Sequence, residues 1–176
     1  MLRGYDMDTF FEQIIAIKKT GKAIAAIAGI WLLAFILCFL LFMFISYLAV
    51  FAFLLIAGVL FGAYKLSTRF NIEYEYIVTN GTMDIDKIIS KSSRKRVLSF
   101  ELQTVSRIEK FNPSQLNSVN PKEVLVACNA DDPDAYLMVS SPEGKGTTYL
   151  VFAPDERVRG AIVKFVPKFI ANSAFK

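Results

Sequence analysis

The densest cluster of groups able to do chemistry is a run of cations: Lys91, Arg94, Lys95 and Arg96. On a domain held at a membrane, such a run can hold anionic headgroups, at about 1 kcal/mol per basic residue near the surface. The competing reading is a solvated turn whose charges keep an edge strand from pairing with another chain. Asp84, Asp86 and Glu101 nearby weaken the field and favour that second reading. A second cluster, Asp131, Asp132 and Asp134, invites a calcium interpretation, with Glu143 at the twelfth position counted from Asp132. Leu137 stands where an EF-hand loop requires glycine, so an acidic turn is the expectation. Gly144-Lys145-Gly146-Thr147 lacks the upstream glycine spacing and the following helix of a phosphate loop, and reads as a hairpin tip.

Absences narrow the chemistry further. The chain has no histidine, which removes Ser-His and Cys-His nucleophile activation and most zinc sites. Cys38 lies in an apolar run and Cys128 in a polar one, so no disulfide is expected and a reducing compartment fits. Twenty Lys and Arg against sixteen Asp and Glu leave only +4, without the strongly basic face that nucleic acid requires. The expectation is a non-enzymatic protein with no catalytic residue, cofactor, metal or nucleic-acid partner.

The elements that position these groups begin with a membrane anchor. From Ala23 to Tyr64 there are 42 consecutive residues without one Asp, Glu, Lys or Arg. One bilayer crossing takes about 20 apolar residues, so the run predicts two helices, about 23–42 and 47–64, with a turn near Phe44, Ile45 and Ser46. Lys18, Lys19 and Lys22 precede the first span, and Lys65 and Arg69 follow the second. The positive-inside rule then puts both termini in the cytoplasm of a two-pass plasma-membrane protein. Gly21, Ala25 and Gly29 recur every four residues, and Gly58 and Gly62 form a Gly-x-x-x-Gly pair. These stripes predict either close contact between the two helices, or a homodimer, or only the usual abundance of small residues in membrane helices. Ahead of the spans, residues 1–22 read as an amphipathic cytoplasmic segment: Asp6 or Asp8 caps a helix carrying Phe10, Ile14 and Ile17 on one face. That helix either lies in the membrane interface or extends the first span.

Past Lys65 the hydrophobic period changes from that of a membrane helix to that of strands. In Asn71–Thr79 the residues Ile72, Tyr74, Tyr76 and Val78 alternate with mostly polar ones, and Asn80-Gly81 supplies a type I′ turn. Further strands are predicted over 82–90, 94–102, 105–111, 124–128, 135–140 and 147–153. Pro154, Asp155 and Glu156 then open a terminal helix, with Val158, Ala161, Ile162, Phe165 and Phe169 on one stripe and a kink at Pro167. Seven short strands and one amphipathic helix predict a curled sheet or barrel with a C-terminal capping helix over 70–173, carried on a hairpin over 23–65.

With the anchor running straight into Tyr74-Glu-Tyr-Ile-Val-Thr-Asn-Gly81, Asp84-Ile-Asp86 in the next strand, the basic turn before Val97-Leu-Ser-Phe-Glu101 and the closing helix, the chain resembles a bacterial pleckstrin-homology-like (PH-like) domain on a two-helix anchor. The resemblance covers roughly residues 23–170 and implies no shared catalytic residues. It implies an interaction or scaffold module at the inner membrane face, with the bilayer and an unknown protein as partners. The alternative is a sensor of anionic lipid using Lys91, Arg94, Lys95 and Arg96. A homo-oligomeric pore or transport accessory is the least favoured, since two spans without an ionisable residue offer no proton relay or substrate coordination.

Overall fold

The computed structural model describes residues 10–48, 50–129, 131–141 and 146–175. In chain order its elements are β1 (Phe10–Ala16), α1 (Gly21–Met43), α2 (Ile45–Leu48), α3 (Val50–Thr68), β2 (Ile72–Thr79), β3 (Thr82–Ile89), β4 (Ser93–Glu101), β5 (Val105–Lys110), β6 (Val124–Val126), β7 (Tyr136–Ser140), β8 (Thr148–Phe152), α4 (Glu156–Phe165) and α5 (Lys168–Ala171). The chain divides into two compact units. The helical one runs from Lys18 to Ile72 and includes the turn Ile89–Ser93; the other holds β1, Glu73–Ile88 and the chain from Arg94 onward.

The strand unit begins before the apolar helices, which corrects the expectation for the N-terminus. Phe10–Ala16 is not an amphipathic helix but a strand, paired antiparallel with β2 from Phe10 opposite Thr79 to Ala16 opposite Glu73. Its apolar residues satisfy a helical period, yet the segment is rich in aromatic and β-branched residues, which prefer a pleated surface. The otherwise unpaired edge of β2 supplies that surface, and Phe11 and Ile15 pack on the core. Asp6 and Asp8, the expected caps, lie outside the described residues. The whole of α1 to α3 is therefore inserted between two paired neighbours of one sheet.

Among the described residues eight strands form two four-stranded sheets, in the orders β1-β2-β3-β4 and β5-β7-β8-β6, with β6 parallel to β8. The expected seven-stranded curled sheet or barrel is corrected accordingly: the sheets do not close on one another. The seven strands predicted after the helices are all present, to within two residues at most of their ends. Asn80 and Gly81 both take positive φ, at 47° and 88°, as a type I′ turn requires. A Cβ on Gly81 would sit 3.2 Å from the Phe165 ring, so glycine serves close approach there as well.

Between the sheets lies a core of Tyr76, Val78, Met83, Ile85, Leu102, Val105, Met138, Leu150 and Phe152, closed by Val158, Ala161 and Ile162 of α4. Full burial of each large side chain contributes about 1.5–3 kcal/mol. Tyr76 also ties the two sheets by polarity: its hydroxyl donates to Ala127 O at 2.7 Å and accepts from Ala153 N at 3.3 Å. Asp155 caps α4 by accepting from Val158 N at 2.8 Å. Pro167 does more than kink the terminal helix. α4 stops at Phe165 and α5 restarts at Lys168, so Phe169 leaves the buried stripe and is 70% exposed.

In the helical unit, Gly21–Met43 and Phe51–Thr68 are each long and apolar enough to cross a membrane. Thr20 caps α1, accepting from Ala23 N. α1 and α3 pack against each other, but not through the glycine stripes. The least exposed positions of α1 are Ala23, Ile27, Ile30, Ala34, Cys38 and Leu41, and those of α3 include Ala52, Ile56, Val59 and Ala63. Their spacing of three and four is that of a helix–helix seam. A Cβ added at Gly21, Gly29, Gly58 or Gly62 would meet nothing within 4 Å, and Ala25 is exposed. Of the alternatives, close glycine contact between the two helices is therefore not what the structure has: the least exposed seam positions are Ala34, Ala52 and Ala63 with Ile27, Ile30, Cys38, Ile56 and Val59 beside them. Gly58 and Gly62 line an apolar groove of about 210 Å³ beside Leu33, Leu37 and Leu66.

Candidate functional site

β4 is the edge strand of its sheet and β6 the edge strand of the other. Because the sheets do not join, an open groove of about 430 Å³ lies between these edges, lined by Val97, Leu98, Lys122, Val124, Leu125 and Thr148, among others. Two short features create it. β6 is only three residues long, delivered by a loop in which Asn112 and Asn120 each cap a single 3-10 turn. β4 runs for nine residues and stays exposed from Ser93 to Val97. Val97 is 39% exposed and Val126, at the end of β6, 43%. Unpaired backbone N–H and C=O groups on a sheet edge are a template for an incoming strand.

The predicted basic cluster precedes Val97 in the chain, and its four members separate into two kinds. Arg94 binds Glu75 at 2.9 Å. Arg96 bridges Asp84 at 2.9 Å and Asp86 at 3.1 Å. Both guanidinium groups are thereby spent on the outer face of the first sheet, over carboxylates that carry little or no exposed surface. Lys91 and Lys95 make no ion pair among the described residues. Lys91 occupies a turn in which it and Ser90 both hold φ at 56°, a left-handed conformation that neither residue type prefers. Ser90 N donates to Asn71 O at 2.8 Å, which holds this turn three residues beyond the end of α3.

The remaining sequence candidates do not assemble into a site. Asp132 accepts from Asp134 N at 2.9 Å in an ordinary Asx turn, and Asp134 faces Lys110 and Arg159, each at 3.5 Å. No group of three or more metal-ligating residues exists among the described residues. Glu143, Gly144 and Lys145 lie outside them. Cys128 is buried, and that burial pushes its thiol up to about 11, away from reactivity. Lys110 and Arg159 each stand over the Tyr136 ring, at 4.8 and 4.9 Å, which packs them as structure.

Sequence reading missed three structural features. Gln13 joins β1 to the start of α4, Glu75 is fully buried, and the β4–β6 groove exists only because the barrel stays open. Only Glu75 left a trace in the sequence, as a carboxylate in an alternating strand beside an unusual excess of acids.

A family model described as a bacterial PH-like domain (DUF6106) matches residues 7–172, and the chain belongs to that family. The match runs from β1 through both long helices and both sheets to α5, so the helices lie within the family's own extent. No curated protein and no solved structure matched the chain.

Proposed function

We propose that this member of the bacterial PH-like family is a non-enzymatic, membrane-anchored interaction module that takes an extended segment of a protein partner along the free edge of β4. The groove between β4 and β6 carries the reading. It pairs two free strand edges with the exposed Val97 and the half-buried Leu98, Val124 and Leu125, which supply backbone affinity and side-chain contacts respectively. Insertion of the apolar helices between β1 and β2 supports a two-pass anchor. Strands paired from Phe10 to Ala16 oblige the chain to leave and re-enter at the same end of the sheet. That arrangement supports flanks on one side of the bilayer, and the cations at Lys18, Lys19, Lys22, Lys65 and Arg69 favour the cytoplasmic side.

The test is site-specific photocrosslinking in native membranes with a photoreactive residue at Val97, against the same residue at Phe169 on α5. A discrete protein adduct at Val97 alone, lost in a Ser99→Pro variant that spoils the edge, is the expected result. Adducts that ignore Ser99→Pro overturn strand addition.

One observation favours a second reading, contact with anionic lipid. The turn bearing Lys91 is tied to the chain that leaves α3, where headgroups lie if α3 spans. With Arg94 and Arg96 already paired, that contact falls to Lys91 and Lys95. Lys91→Glu with Lys95→Glu then weakens salt-sensitive binding to phosphatidylserine vesicles, whereas Arg94→Gln alone acts only through Glu75. A further role of the open α1–α3 groove in self-association belongs to the same proposal and is read by oligomeric state.

A further inference from the structure

Glu75 has no exposed surface at all. It lies on β2 opposite Ile14 of β1, and Glu12 stands one step along the same face, opposite Ile77. The two glutamates are therefore diagonal neighbours across the β1–β2 seam, a separation that two such side chains span. Glu75 Oε1 accepts from Arg94 at 2.9 Å. Its Oε2 meets no donor, and the carboxyl of Glu12 is a neighbour of the Glu75 carboxyl. Two carboxylate oxygens are both acceptors, so their contact is favourable only with a proton between them.

The surroundings do not supply that missing charge. β3 contributes Asp86 and Asp84, and Asp84 Oδ1 is itself buried without a donor. β4 contributes Arg94 and Arg96, of which Arg96 is committed to Asp84 and Asp86. Glu73 lies next along β2 on the same face. Five carboxyl groups thus meet two guanidinium groups. Burial first, then the Glu12 contact, push the Glu75 carboxyl up to about 7 against the pull of Arg94.

We infer that Glu12 and Glu75 share one proton as a latch that fastens β1 onto β2, so that the strand leading into the apolar helices is held when the proton is bound and loosened when it leaves. The sign follows from linkage. In the closed seam Glu75 holds the proton to about pH 7, whereas a solvated Glu75 releases it near 4.5. Opening of β1 therefore becomes easier as pH rises between those values, by up to about tenfold per unit, and is insensitive above them. The position of the seam gives this a consequence. It joins the two chain segments through which the α1–α3 insertion is connected, so proton occupancy governs how firmly that insertion is clasped.

Amide hydrogen exchange on the full chain in lipid nanodiscs, corrected for intrinsic base catalysis, tests the latch. Protection of Phe10–Ala16 is expected to fall about tenfold between pH 5.5 and 7.5, while the β7–β8 hairpin stays unchanged. Glu12 is exposed, so Glu12→Gln leaves the core intact and offers Glu75 Oε2 an amide donor. This variant keeps β1 protected at both pH values. Glu75→Gln, which retains an acceptor for Arg94, serves as the second variant with the same expectation. Equal β1 protection of the wild type at both pH values, or an unchanged pH response in Glu12→Gln, overturns the proposal.

Discussion

Gln13 and Asp155 are 142 positions apart, yet the backbone N–H of Asp155 donates to Gln13 Oε1 at 2.7 Å. Gln13 returns a second bond from Nε2 to Ala153 O at 3.1 Å. One amide on β1 thus fixes the entry to α4. Asn129 adds a third tie by donating to Ala16 O at 3.3 Å. The strand before the apolar helices is therefore tied to the start of the last long helix by side-chain hydrogen bonds as well as by its pairing with β2.

Gln13→Ala removes both bonds and leaves a partly buried N–H and C=O at the cap of α4. A loss of about 1–3 kcal/mol follows, read as a lower midpoint of thermal unfolding in detergent. Unchanged stability would show that β1 merely rests on the domain.

Residues 70–176 alone lack β1 and expose the edge of β2 and the core beneath Phe11 and Ile15. That fragment is expected to aggregate or show poor amide dispersion. Joining residues 10–16 directly to 72–175 through a short glycine-containing turn restores a dispersed spectrum, because β1 and β2 are antiparallel neighbours. A well-folded 70–176 fragment contradicts this.

Tyr76→Phe preserves the edge-on ring contact with Phe152, at 5.8 Å between centroids, but strands Ala127 O and Ala153 N in the core. The expected loss is about 2–4 kcal/mol, with the β6–β8 pairing the first to lose exchange protection.

Within the helical unit, Ala63→Leu overpacks the α1–α3 seam and lowers stability by about 1–3 kcal/mol. Gly58→Ala, which meets nothing within 4 Å, is neutral or stabilising. The reverse order would restore the glycine stripe as the contact.

Ser90→Asn with Lys91→Gly reproduces the Asn-Gly pair that already serves the β2–β3 turn, and relieves two left-handed residues. About 1 kcal/mol of stabilisation is expected by chemical denaturation.

Legibility in the sequence followed the range of the physics involved. The type I′ turn at Asn80-Gly81, the strands after Lys65 and the two apolar helices rest on local propensity and short periods, and each is read from neighbouring residues. Phe10–Ala16 fails that test: its local pattern fits a helix, and only pairing with β2, across an insertion of 55 residues between Ala16 and Ile72, makes it a strand. The seam alanines Ala34, Ala52 and Ala63 were obscured by glycines, whose small size signals close approach only when the neighbouring side chains allow it. Asp84 and Asp86 were legible as acids that weaken the basic run, and they hold Arg96; Glu75, the partner of Arg94, sits two strands away, beyond what sequence spacing resolves.

The apolar helices are entered and left through paired neighbours, with Ala16 opposite Glu73. Single cysteines at Ile17, Tyr47 and Asn71, in a chain with Cys38 and Cys128 replaced by serine, measure the sidedness of that entry and exit directly with a membrane-impermeant maleimide on intact cells. The account predicts labelling at position 47 from outside, and at positions 17 and 71 only after the membrane is opened. Labelling of position 17 and position 71 from opposite sides would contradict it.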